Sequence, residues 1–128
     1  MILTLVRGMP GSGKSTYASK LGCFHVEEDM FRMRDGEYRF DWTDGYKPAR
    51  LCSDFVCMVM SRGNDVVVSD CLATCEEIEL YEHLAKLRGA KFIVYKMTGK
   101  FDSIHPWDPQ VVELMAAQWE DWPGEVEV

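Results

Sequence analysis

Gly8-Met9-Pro10-Gly11-Ser12-Gly13-Lys14-Ser15-Thr16 is the stretch that decides the fold. Its spacing is G-x-x-x-x-G-K-[ST], the pattern of a phosphate-cradling loop. The glycines let the backbone turn with positive φ, so that several N–H groups from Gly11, Ser12, Gly13, Lys14, Ser15 and Thr16 converge on one anion. The Lys14 ammonium has the reach to meet β- and γ-phosphates, and the Ser15 hydroxyl suits a magnesium ion. A helix beginning near Lys14 adds its positive dipole end beneath them.

The flanks agree with that reading. Ile2-Leu3-Thr4-Leu5-Val6 is a short apolar, β-branched run of the kind that forms a buried parallel strand. Thr16 to Leu21 continues as helix until Gly22 stops it. Strand, glycine loop and helix therefore follow in the order a nucleotide-phosphate site requires, which an ordinary glycine-rich turn would not need.

Composition sets the outer limits. The 128 residues make one domain, with 47% hydrophobic and 27% charged residues, as in ordinary globular chains. No apolar run is long enough to cross a bilayer, and the first strand is too short for the apolar core of a signal peptide, so the expectation is a cytoplasmic protein without membrane contact. The 5 cysteines (Cys23, Cys52, Cys57, Cys71, Cys75) form no C-x-x-C pair and fit a reducing compartment. Cys71, Cys75 and His83 match no familiar zinc spacing and read as buried thiols and a separate histidine. A net charge of −7 argues against broad electrostatic capture of nucleic acid, while leaving room for a local basic site. The acidic end, Glu120 to Val128, reads as a solvated tail.

Along the chain, Cys23-Phe24-His25-Val26 is a second strand ending in Glu27-Glu28-Asp29, and carboxyl ends of strands are where ligands gather in open α/β sheets. Met30 to Met33 forms a short helix or turn, followed by Asp35-Gly36. Glu37-Tyr38-Arg39-Phe40-Asp41-Trp42 alternates aromatic and charged residues, giving an extended segment with one aromatic face. Those rings either stack on a substrate base or pack the excursion onto the body. Pro48 to Arg62 is helical, with Leu51, Phe55, Met58 and Val59 at helix spacing; Lys47 and Arg50 at its start face a substrate phosphate or solvent. Asp65 to Asp70 is a third strand ending in a carboxylate, and Thr74 with Glu77 has the spacing of a capping box. The next helix turns Ile78, Tyr81, Leu84, Ala85 and Leu87 inward and ends at Gly89. Ala90 to Met97 is a fourth strand, and Asp108 caps a last helix carrying Val111, Leu114, Met115, Trp119 and Trp122 on one side. This alternation predicts an α/β three-layer sandwich around a parallel sheet of four to five strands.

Three elements in order carry a resemblance: the loop at residues 8–16, Asp29-Met30-Phe31-Arg32 after the second strand, and Val67-Val68-Ser69-Asp70 ending the third. Together they resemble the 5′-kinase domain of phage-type polynucleotide kinases, over residues 1 to 97, and the related small phage kinases of hydroxymethylated DNA bases. The loop by itself is shared with gluconate kinases and other small-molecule kinases. The resemblance implies a P-loop kinase that uses ATP and Mg²⁺. In it Asp29 accepts the proton of an attacking hydroxyl, and Arg32 grips the substrate phosphate. Asp70 orients that arginine or helps hold the metal's water, while Lys14 and Ser15 hold the triphosphate and the metal. The residues taken alone leave other roles open: Asp29 as a helix cap, Arg32 in an ion pair with Glu28 or Asp29, and Asp70 capping the next turn.

The implied acceptor is a hydroxyl of a nucleic acid or nucleotide. The alternatives are a small metabolite, which needs no basic surface, and a nucleotide-binding interaction protein without transfer. The family's lid arginines are missing from Thr98 to Pro106. Lys96, Lys100, His105 or an arginine from a second copy in a homo-oligomer would have to replace them. Neither an N-K-x-D element nor a D-x-x-G switch after the third strand is present, which disfavours a GTPase.

Overall fold

The computed structural model describes residues 1–101 and 108–128, with Trp42 by its backbone alone. Of the candidate lid, Asp102, Ser103, Ile104, His105 and Pro106 lie outside the described residues. β1 (Ile2–Arg7) is the central strand, flanked by β5 (Val66–Asp70) and β6 (Lys91–Lys96). β2 (Phe24–Val26) lies outside β5 and β7 (Val126–Glu127) outside β6, giving the order β2-β5-β1-β6-β7 with every pairing parallel. The chain leaves β1 in one direction for β2 and later returns on the other side for β6. The carboxyl end of β1 therefore lies where the strand order reverses, the usual crevice for ligands in such sheets.

Period-two alternation along β1 divides the core between two faces. Leu3 and Leu5 face one side with Val26, Val66 and Val68, beneath α2 (Lys47–Ser61) and α3 (Cys75–Leu87). From those helices come Cys52, Val56, Val59, Met60, Ile78, Tyr81 and Ala85. Val6 and Val67 face the other side, where α1 (Lys14–Ser19) contributes Ala18, with Tyr17, Tyr95 and Met97 packed around it. That second layer is thin because α1 has 6 residues, and the edge-to-face pair Tyr17–Tyr95 widens its cover. α4 (Pro109–Gln118) is capped by Asp108, whose carboxylate accepts the Gln110 N–H at 2.8 Å, and it buries none of its own residues.

Four expectations are corrected, the first being Leu87, which is 67% exposed at the end of α3 rather than turned inward. The acidic end is not a solvated tail: Val126 and Glu127 add the fifth strand, and Trp122 packs edge-on against Phe92 with centroids 6.4 Å apart. Trp119 and Trp122 lie beyond α4 rather than on its face, because the helix ends at Gln118. The Thr74–Glu77 capping box does not form as spaced. Thr74 makes no side-chain cap, and the Cys75 N–H is met at 3.0 Å by Glu120 from the tail.

β3 (Met33–Arg34) and β4 (Glu37–Tyr38) form a separate antiparallel hairpin. Its turn is Asp35-Gly36, both left-handed at φ 53 and 79, as a two-residue hairpin loop requires. The segment with the aromatic face is thus strand for two residues and then a 3₁₀ turn at Trp42–Asp44.

Candidate active site

The glycine loop leaves β1 at Gly8 and enters α1 at Lys14. A Cβ on Gly8 would fall 2.3 Å from the Ser12 Oγ, so only glycine lets the loop close on itself. Gly13 caps α1 in the left-handed region at φ 93, aiming the first helical N–H groups into the loop. Ser12 is 2% exposed, and its Oγ has no hydrogen-bond partner among the described residues. Lys14 Nζ donates to the Met9 carbonyl at 3.1 Å, folded back across its own loop. A buried orphan hydroxyl, convergent amides and an ammonium held by a neutral carbonyl fit a phosphate chain.

One cavity of about 1110 Å³ joins this loop to the acidic end of β2. Gly11, Gly13, Lys14, Ser15 and Thr16 line it together with Asp29, Arg32 and Asp70, while Ser12 is buried beneath. The sequence-predicted residues therefore come together. Their internal contacts refine the expected roles. Ser15 Oγ donates to Glu27 Oε2 at 2.6 Å, and Ser69 Oγ donates to the same oxygen at 3.2 Å. His25 Nε2 lies 2.6 Å from Ser69 Oγ and completes the chain. The carboxylate touching the candidate metal hydroxyl is therefore that of Glu27, which the sequence placed among three acids without a role of its own.

Asp70 bonds elsewhere: its Oδ1 accepts the Glu28 N–H at 3.0 Å, fixing the start of the 3₁₀ turn Glu28–Arg32. Burial pushes the Asp70 carboxyl well above the usual carboxylate range against the pull of that N–H, and the charges of Glu28, Asp29 and Glu27 push the same way. Arg32 Nη2 pairs with Glu28 Oε1 at 2.6 Å and Nε lies 3.9 Å from Asp29. Its guanidinium sits 4.6 Å from the centre of the Phe40 ring. Asp29 neighbours the Tyr38 phenol, which burial and then the Asp29 charge push up to about 12.

Of the proposed lid substitutes, Lys96 is committed to the tail, 3.4 Å from Asp121 and 3.8 Å from Glu127. His105 lies outside the described residues. Phe101 closes on the loop instead, its N–H donating to the Gly11 carbonyl at 2.6 Å and its ring 3.3 Å from where a Gly13 Cβ would stand. All five cysteines are free; Cys52 is buried and the others are half-buried. Cys71 borders the cavity, where burial raises its thiol to about 11.

Arg7 is the residue that sequence reading missed. It ends β1, faces the same side as Leu3 and Leu5, and is 0% exposed. Its NH1 donates to Glu125 Oε1 at 2.7 Å, and its Nε to the Leu72 carbonyl at 3.0 Å. NH2 donates to the Glu120 carbonyl at 2.7 Å, and the guanidinium lies 4.0 Å from the Trp119 ring centre. Leu72, which borders the cavity, has a left-handed backbone at φ 48, a strained state for a branched residue that Arg7 helps to hold. A lone arginine at an inward register position, with an acid-rich end elsewhere, was the available signal.

A parallel sheet, a glycine loop at its switch point and acids across one cavity define a P-loop α/β protein with a kinase-like fold. The chain belongs to the AAA domain family AAA_33, whose model matches residues 3–98. It is similar to an uncharacterized protein of Pasteurella multocida (strain Pm70), 31% identical over 144 aligned positions that cover 98% of this chain and 80% of the relative. Among solved structures, a chain of the Pnkp1/Rnl/Hen1 RNA repair complex superposes with a TM-score of 0.70 at 18% identity, over 91% of this chain and 43% of that one. A sugar kinase from Janibacter sp. HTCC2649 gives 0.68 at 15% identity, covering 100% and 83%. A gluconokinase from Sinorhizobium meliloti 1021 gives 0.63 at 17%, covering 99% and 81%. At these identities the structural likeness speaks for the fold.

Proposed function

We propose that the protein is an ATP- and Mg²⁺-dependent kinase that phosphorylates a hydroxyl group. The observation that carries this reading is the single cavity shared by Lys14 and Ser15 of the loop with Asp29 and Arg32. Lys14 and the loop amides bind and orient the triphosphate, and Ser15, steadied by Glu27, serves the metal side. Bound magnesium supplies charge neutralisation on the phosphates. Asp29 orients the acceptor hydroxyl and takes its proton, and Arg32 holds the acceptor's own anionic group after release from Glu28. Asp70 acts behind them, fixing the turn that carries both.

The acceptor in this reading is a nucleic acid or nucleotide: a 5′-hydroxyl polynucleotide end, or a hydroxymethylated base such as 5-hydroxymethyluracil in DNA. Its support is the Asp29-x-x-Arg32 spacing. A small uncharged metabolite is the second reading, favoured by the charge of the walls. Glu27, Glu28, Asp29, Asp70 and Glu77 line the cavity, and the guanidinium of Arg32 is already bonded to Glu28. A polyanion entering there meets carboxylates, whereas a sugar or nucleoside does not. The missing clamp would come from Lys100, or from a second copy of the chain.

Transfer of label from γ-labelled ATP decides between these readings. The acceptors would be hydroxyl-ended oligonucleotides, oligonucleotides containing hydroxymethyluracil, nucleosides and sugars. Asp29→Asn should lower transfer by about a hundredfold or more while ATP affinity survives. Tight ATP binding with no label on any acceptor would leave a nucleotide-binding interaction protein.

A further inference from the structure

Asp29 and Arg32 stand on poor foundations. They occupy a 3₁₀ turn of 5 residues that buries none of its own side chains, and such turns have little stability of their own. A group that must orient a hydroxyl has to be held within a fraction of an ångström, so something outside the turn must fix it. Asp70 holds the start of the turn and α2 packs on it, while the Arg32 guanidinium is met from the adjoining hairpin segment. The Arg39 N–H donates to the Arg32 carbonyl at 3.0 Å, laying the segment after the hairpin along the turn. Tyr38 and Phe40 are two apart in extended chain and so point the same way. The Tyr38 phenol feels the Asp29 charge, and the Phe40 ring centre lies 4.6 Å from the Arg32 guanidinium.

We propose that Tyr38 and Phe40 are positioning residues, a two-ring brace that sets the Asp29 carboxylate and the Arg32 guanidinium for the acceptor. The proposal rests on the kinase reading above and gives the alternating aromatic segment a task other than stacking on a base. Burial and the neighbouring Asp29 charge push the Tyr38 phenol up to about 12, so its proton stays on the oxygen and is available to the carboxylate. Phe40 keeps 41% of its surface exposed, an apolar ring retained at the surface under a cation. The dependence is mutual. A two-stranded hairpin is marginal alone, and these contacts hold it as firmly as it holds the turn.

The test uses the whole protein with ¹³C-labelled carboxylates, following the Asp29 carboxyl carbon by NMR titration alongside steady-state transfer. Tyr38→Phe keeps the ring and removes the donor. It should move the Asp29 midpoint and the acid limb of kcat/KM to higher pH, and lower kcat about tenfold with ATP affinity unchanged. Phe40→Leu should leave the Asp29 midpoint in place and raise the acceptor KM about fivefold at near-constant kcat. Folded variants with an unmoved Asp29 midpoint and wild-type kcat and KM would overturn the brace. A wild-type protein that phosphorylates none of the acceptors would remove the kinase reading, and the NMR titration would still decide the brace.

Discussion

Lys14 and Asp70 line the same crevice, and their surroundings assign them different kinds of dependence. Lys14 is bonded to a neutral carbonyl, so replacing it removes a cation without stranding a buried charge. Lys14→Ala should therefore leave the melting temperature nearly unchanged while nucleotide affinity and any transfer fall by about a thousandfold, read by titration calorimetry and labelled ATP. Asp70 behaves in the opposite way. Its native carboxyl holds a proton more tightly than the unfolded chain does, so the stability it contributes is greatest when protonated. That contribution is lost as pH rises from the ordinary carboxylate range toward the raised native value. Asp70→Asn, which keeps the Glu28 N–H acceptor, should flatten that loss, as urea denaturation at about pH 4 and about pH 8 would reveal. A fall in stability with rising pH that is unchanged in Asp70→Asn would place the effect on Glu77, whose carboxyl burial also raises.

At the scale of elements, α3 begins with a borrowed cap. Glu120 Oε1 meets the Cys75 N–H, a role that the local Thr74 leaves undone. Glu120→Ala should cost about 1 kcal/mol in chemical denaturation, whereas Thr74→Val should cost less. What sequence could convey here divides along physical lines. The glycine loop, the strand runs and the helical stripes are local patterns, and they placed the sheet, α2, α3 and the crevice. The same locality singled out Asp29, Arg32 and Asp70 as candidates, and the fold brings all three to one cavity. Glu27, by contrast, is distinguished from Glu28 and Asp29 only by which way the chain turns after β2. The cap of α3 and the fifth strand depend on residues 45 and 31 positions away. No window of periodicity contains both partners.

Across the whole molecule, the tail is joined to the centre of the sheet through Arg7. Glu125→Ala would leave a buried guanidinium with carbonyl partners alone and should cost about 3 kcal/mol, roughly 10 °C in melting temperature. Because Arg7 also grips the strained Leu72 turn at the cavity edge, nucleotide affinity should fall with it. An Arg7→Met, Glu125→Leu double substitution tests whether charge matters: recovery of stability without recovery of affinity would show that the guanidinium shapes the crevice. Among the described residues, no helix is long and apolar enough to cross a membrane.

The 118 positions between Arg7 and Glu125 also have a meaning in time. On the ribosome the Arg7 guanidinium emerges well ahead of its counter-ion and waits unpaired until Glu125 follows. Nascent chains arrested before that acid would carry an unsealed sheet edge and an unneutralised charge together, making them ready prey for proteases.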